Sequence, residues 1–273
     1  MRWIIVSDLH ANKYALDVVA ENIKESKGEE DKIVCLGDVV GYGVHGNECI
    51  QWVNDTADVF VPGNHDYGTL HLFNQPSVTL DSTHANWTGR WGMMHAWKDL
   101  DDANVEILKE LSGRTPIFTN GVVVFSHGAP VSATKMKYVE NEGDAKEYFF
   151  RNELRAEHYC LVGHTHIPQV YIEADEGIKP KDLAGKAFLS QLGDCKALGV
   201  VPSVGQSRDG SPFTGYAILE YVVNEDPFAI EGSLEIVRLP YDVGAMQEDM
   251  RKADAPDELI ARLENADPPQ RDE

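Results

Sequence analysis

Basic side chains are scarce in this chain. Of 273 residues only 24 are Lys or Arg, against 45 Asp or Glu, and the formal net charge is −21. A surface of that sign repels phosphate backbones and anionic lipid, so neither extended nucleic acid nor a membrane is the expected partner. Cysteine is equally sparse. Cys35, Cys49, Cys160 and Cys195 make no C-x-x-C pair, and Cys35 and Cys160 fall inside apolar runs where they read as small core fillers. No apolar stretch approaches ~20 residues, and the chain opens in a strand-like run rather than a basic, apolar leader, so a soluble, cytoplasmic protein is expected. No internal repeat is present. With 42% hydrophobic residues, the chain has enough apolar material for one large domain, with or without an appendage.

Against that background five polar motifs stand out, each placed where an apolar run stops. Trp3 to Val6 leads to D-L-H at Asp8 and His10, and Ile33 to Leu36 leads to G-D-V-V-G-Y-G around Asp38. Val59 to Val61 leads to G-N-H-D at Asn64 to Asp66, Val122 to Phe125 to S-H-G at His127, and Tyr159 to Val162 to G-H-T-H at His164 and His166. Short β-rich runs bounded by Gly or Pro are buried strands, and open α/β sheets bind ligands beyond the carboxyl ends of their strands. Five strand ends are therefore expected to pool their side chains in one cleft.

Imidazole, carboxylate and amide oxygen suit manganese, iron, zinc or nickel, and no motif contains a thiolate. The simplest division gives one ion Asp8, His10, Asp38 and His166 and a second ion Asp38, Asn64, His127 and His164. Asp38 is the bridge because a carboxylate offers one oxygen to each ion. Two divalent ions, two carboxylates and a bridging hydroxide leave a local charge of about +1, a sink for phosphate inside an acidic chain.

These motifs resemble the calcineurin-like metallophosphoesterase superfamily, and more narrowly its small prokaryotic branch related to phosphodiesterases and serine/threonine phosphatases. The resemblance runs over roughly residues 1 to 242 and includes G-H-T-H-I-P and S-V-G-Q-S-R-D-G. It implies a four-layer αββα sandwich of two mixed β-sheets flanked by helices, two divalent metal ions with manganese favoured, and hydrolysis of small phosphate mono- or diesters. It also implies that His65, between Asn64 and Asp66, is the general acid, since an imidazole can carry and deliver a proton near neutral pH. Asp66 reads as a turn-maker. Arg208 is the candidate substrate-contacting cation, with Asn12 a weaker one of the same kind, although Asp209-Gly210 beside Arg208 also reads as a hairpin turn.

Three departures bear on substrate. Serine/threonine phosphatases carry an aspartate and a phosphate-clamping arginine where this chain has Gly41 and Tyr42, which weakens the alternative of a protein phosphatase or dinucleoside polyphosphate hydrolase. Ala11 and Pro202 stand where the small branch usually has glycine. A non-enzymatic metal-binding scaffold is the third alternative, disfavoured because every ligand position is filled.

The rest of the pattern supports one sandwich. A helical period with Leu16, Val19, Ala20 and Ile23 follows the first strand, and a short helix lies near residues 49–53, giving a βαβαβ opening with parallel strands. Residues 82–111 read as helical, with Trp87 and Trp91 on one face as packing residues or as a wall of the cleft. After His166 the chain turns β-rich and largely antiparallel, with strands at 169–174, 186–190, 216–223 and 234–239. The expected division is a domain over 1–242 and a C-terminal helical extension over 243–273, broken at Ala255-Pro256 and ending in a charged tail that frays.

Overall fold

The first strand, β1 (Arg2–Val6), shows how the layers form. Ile4 and Val6 point one way, Trp3 and Ile5 the other, and all four are buried, so the strand is covered on both faces. The computed structural model describes residues 1–74, 87–132, 135–151, 159–174, 177–181, 187–188, 196–223 and 230–267.

Strand β1 lies parallel to β2 (Lys32–Cys35), which lies parallel to β3 (Val59–Phe60). A second group of parallel neighbours is β5 (Val123–Ser126), β8 (Tyr159–Val162) and β12 (Ala197–Val200), with β4 (Ile117–Thr119) antiparallel on the edge beside β5. Between β5 and β8 lies a small hairpin of β6 (Ala129–Ser132) and β7 (Lys135–Lys137). Antiparallel strands complete both sheets: β9 (Gln169–Ala174) and β10 (Gly177–Lys181) extend the β5-β8-β12 sheet, while β11 (Ala187–Phe188), β13 (Thr214–Val223) and β14 (Ile230–Leu239) extend the other. The orders are β11-β14-β13-β1-β2-β3 and β10-β9-β12-β8-β5-β4.

Ile5, Val34 and Leu36 from one sheet meet Phe125, Leu161 and Val170 from the other in the central core. The opposite face of the first sheet, with Ile4, Val6, Ile33 and Cys35, packs under α1 (Lys13–Ser26), α2 (Gly46–Thr56) and α5 (Asp102–Ser112). The opposite face of the second, with Val124, Cys160 and Val162, packs against Ala145, Tyr148 and Phe149 of α6 (Glu142–Arg151). Helix, sheet, sheet and helix make the expected four layers.

Several local expectations change. Among the described strands after His166 the pairings are antiparallel as expected, apart from that of β12, which runs antiparallel to β9 but parallel to β8. The helical stretch splits into α4 (Trp87–Asp99) and α5, and the break is chemical: Asp101 caps α5 by accepting from the Asn104 N–H. Residues 82–86 lie outside the described residues, as do Cys195 and the tail from 268 onward. The described part of the strand expected at 186–190 is β11. Trp87 and Trp91, four apart in α4, share a face as expected, but only Trp91 packs, stacked on His95 against a C-terminal cluster, while Trp87 is exposed. The helix α3 (Asn64–Asn74) begins on the G-N-H-D motif itself. Two C-terminal helices, α7 (Val243–Lys252) and α8 (Asp257–Asn265), pack through Met246, Met250, Leu259 and Leu263 around Tyr42. Among the described residues no helix is long and apolar enough to cross a membrane.

Candidate metal centre

Motif residues leave the strand ends through left-handed turns. Asp8, His10, Asp38, His164 and His166 all have positive φ, between 47° and 65°. That conformation costs an L-residue roughly 1–2 kcal/mol and persists only where surroundings impose it. Here the loops after β1 and β2 are laced together: Asp8 N–H donates to Gly37 O, His10 N–H to Asp38 O and Ala11 N–H to Val39 O, each at 2.9 Å. Ala11 itself sits at φ 50°, which explains why a glycine is the more comfortable residue at that position. Behind them the S-V-G-Q loop adds a third layer, with Gly205 N–H and the Ser203 hydroxyl both donating to Asp8 O at 2.9 Å.

The side chains converge in two groups. Asp8, His10 and His166 present ligand atoms within 4.8 Å of one another, and Asp38, His127 and His164 do likewise. His10 Nε2 lies 3.1 Å from His166 Nε2, and His127 Nε2 lies 3.1 Å from His164 Nδ1 and 3.2 Å from Asn64 Oδ1. Asp38 reaches both groups, 3.3 Å from His127 and 3.8 Å from His10. His65 forms a third group with His10 and Asp38.

The far ring nitrogens explain these orientations. His10 Nδ1 donates to Val40 O, His127 Nδ1 to Leu36 O and His166 Nδ1 to Gln206 O. A carbonyl only accepts, so each of these rings carries a proton on Nδ1, and its Nε2, a lone-pair donor whenever the ring is neutral, faces the cluster. Lone pairs of several imidazoles, an amide oxygen and two carboxylates facing one another are what a divalent cation fits; a proton serves one pair at a time.

Electrostatics follow from burial and charge. Burial lowers His10, His164 and His166, so these rings are neutral lone-pair donors at neutral pH. Burial would raise Asp38, but His127 and His65 beside it hold the carboxyl well below the usual range. His127 is the converse: burial opposes its proton, yet Asp38 pushes it up to about 9.

Asp66 is structural, as expected. Its buried carboxylate accepts from the N–H groups of Gly63, Asp38 and Val39, each at 2.9 Å, tying α3 to the Asp38 turn. The glycine of G-N-H-D is steric: a Cβ on Gly63 would stand 2.1 Å from Asp38 Oδ1. Asn12 has a different job from the substrate contact expected for it. It is 1% exposed, its Oδ1 caps α1 by accepting from Ala15 N–H, and its amide donates to Gly205 O. Arg208 is buried rather than an exposed turn residue, and no hairpin forms at Asp209-Gly210. Its guanidinium donates to Tyr42 Oη at 3.2 Å and lies 5.7 Å from that ring's centre.

A model of the calcineurin-like phosphoesterase family matches residues 1–168. The chain belongs to that family. It is therefore a metal-dependent phosphoric ester hydrolase. An uncharacterised protein of Methanocaldococcus jannaschii is 33% identical over 264 residues, spanning 95% of this chain and 96% of that protein. The crystal structure of a metallophosphoesterase from Sphaerobacter thermophilus is 30% identical with a TM-score of 0.74, covering 97% of this chain and 99% of that one. A hypothetical protein of Pyrococcus horikoshii shares the fold, at 14% identity and a TM-score of 0.66 over 96% and 97% of the two chains.

Within the family frame, the departures noted above acquire geometry. A Cβ on Gly41 would stand 2.2 Å from His65 Nδ1, so His65 packs where an aspartate side chain would begin. Arg208 reaches Tyr42 from another loop. Tyr42 contacts His10 and His65 edge-on or tilted, with ring centres 4.5 and 4.6 Å away. Tyr138, stacked on His164 at 3.8 Å, was not anticipated, and nothing in its local sequence signals it.

Proposed function

We propose that this chain hydrolyses small phosphate mono- or diesters with two divalent cations, manganese favoured, at the cluster of Asp8, His10, Asp38, Asn64, His127, His164 and His166. Asp38 is shared between the two ions, and His65 is the acid for the leaving alkoxide. When bound, the cations supply Lewis acidity, drawing charge from the phosphoryl group and making a water acidic enough to attack near pH 7.

One observation carries the split of roles among the histidines. The Nδ1 atoms of His10, His127 and His166 each have a backbone carbonyl to fix the ring, whereas the buried Nδ1 of His65 has no partner among the described residues. Ligands need a locked tautomer; a proton carrier must change protonation state. Burial lowers His65, and Arg208 nearby lowers it further against Asp38. An anionic phosphate in contact with Arg208 and His65 offsets both, so the ring gains its proton when substrate arrives. Arg208 then orients the phosphate, with Tyr42 holding the guanidinium.

The reading is tested by stripping the protein, reloading it with manganese and comparing turnover of an aryl phosphomonoester with that of the matching diester. A strong preference for one identifies the ester class. Absence of metal-dependent turnover on both would overturn the proposal.

A further inference from the structure

The helix α4 approaches the Tyr42 turn more closely than a side chain would allow, and beside it comes within van der Waals reach of the acid. A Cβ on Gly92 would stand 1.9 Å from Tyr42 N, and one on Gly89 would lie 3.4 Å from His65 Cε1 and 3.5 Å from Tyr42 Oη. The bare face of α4 thus forms the wall against which the His65 ring rests. Since His65 Nδ1 has no hydrogen-bond partner among the described residues, packing holds the ring.

What holds α4 comes from far along the chain. Arg262, 8% exposed in α8, donates from Nη1 to Thr88 Oγ1 at 2.9 Å, and Thr88 is fully buried in the first turn of α4, next to Gly89. The other end of the guanidinium pairs with Glu258. The residue that ends α8 reaches the substrate side as well: Ala266 O accepts from Gly210 N–H at 3.0 Å, anchoring the loop that carries Arg208. Met246, Met250 and Leu263 pack on Tyr42 from behind. One two-helix unit therefore touches α4, the Tyr42 turn and the Arg208 loop.

We propose that Arg262, through Thr88, is a positioning residue for His65, setting the distance between the α4 wall and the imidazole. This rests on the acid role of His65 and adds a remote residue to it. Glu258 meets the charge of the guanidinium, and the Nη1 atom it leaves pointing inward fixes the buried Thr88 hydroxyl.

The test uses the manganese-loaded full chain as Arg262→Met, as the milder Thr88→Val, as both together, and as His65→Ala. Turnover is measured on a nitrophenyl ester and on an alkyl ester of the same phosphate class, alongside bound metal. The alkoxide needs a proton and the nitrophenolate does not. Positioning predicts that each single variant lowers kcat on the alkyl ester about tenfold and on the aryl ester less than about twofold, with metal content unchanged. The double variant then loses no more than either single one. Equal losses on both esters, or lost metal, would show a merely structural role and overturn the proposal. If His65→Ala discriminates between the esters and the other variants do not, only the positioning fails; if His65→Ala does not discriminate, the acid role fails and the positioning with it.

Discussion

The two sides of this cleft are built to opposite rules. On the metal side the candidate ligands are held by hydrogen bonds: Asp8 accepts from Ser7 Oγ and His164 N–H, Asp38 from His65 N–H, and three imidazoles are pinned by carbonyls. On the side proposed for the phosphate, His65 Nδ1 and Arg208 Nε are buried without a hydrogen-bond partner among the described residues. An unsatisfied buried polar group costs roughly 1–3 kcal/mol. A cation needs its ligands in place before it arrives, whereas groups that serve a passing anion are left open for that anion to complete.

The sharpest break of this contrast is Asp38→Ala. Losing even an outer partner of a ligand costs roughly 10–100-fold in metal affinity, so loss of the shared carboxylate is expected to exceed about 100-fold at both ions. Metal content after dialysis measures it, and two tightly held ions would sink the bridging assignment. Gly63→Ala is the next largest. Its methyl must displace Asp38, so metal affinity is expected to fall by about tenfold while all the ligands remain. Unchanged affinity would mean that the Asp38 turn yields, against the rigidity argued for this side.

Arg208→Gln probes the open side. Removing a charge-assisted contact costs roughly 1.5–3 kcal/mol, so kcat/KM is expected to fall by about tenfold or more with both metals retained. A loss of metal would merge the two sides and end the distinction.

How much of this was legible follows the same division. The ligand side could be read because metals accept few residue types and the turns that aim them are short, so Asp8, His10, Asp38 and the G-H-T-H pair announce themselves locally. The sheets could be read from apolar runs such as Ile33 to Leu36. Misreadings came where one residue type serves two purposes. Asn12 resembles a substrate contact but directly precedes a helix, where asparagine is a cap. For Arg208 the sequence left a substrate cation and an exposed turn residue side by side, and its burial, which decides against the exposed turn, is a property of the fold. The contact of Arg262 with Thr88 spans 174 positions and no motif, and only the packing of α8 on α4 brings the two together.

The smallest effect lies at the rim of the C-terminal unit and obeys ordinary surface electrostatics. Asp249 accepts from Lys252 and Tyr14 and lies 3.2 Å from His45, and those contacts, Lys252 first, lower its carboxyl from 3.8 to about 2. A carboxyl depressed by folding stabilises the protein above its unfolded value and loses that contribution as pH falls through the folded one. Asp249→Asn is therefore expected to lower Tm slightly at pH 7, with the difference from the parent shrinking between about pH 4 and pH 2. Melting both proteins with chelator present removes the metal contribution, and the buried carboxylates Asp8 and Asp38 cancel because both proteins carry them. A gap that stays constant across that range would mean Asp249 acts through packing. In that case α7 would be held against Tyr14 and His45 by shape rather than charge, and the contrast between a fixed interior and an electrostatic rim would need redrawing.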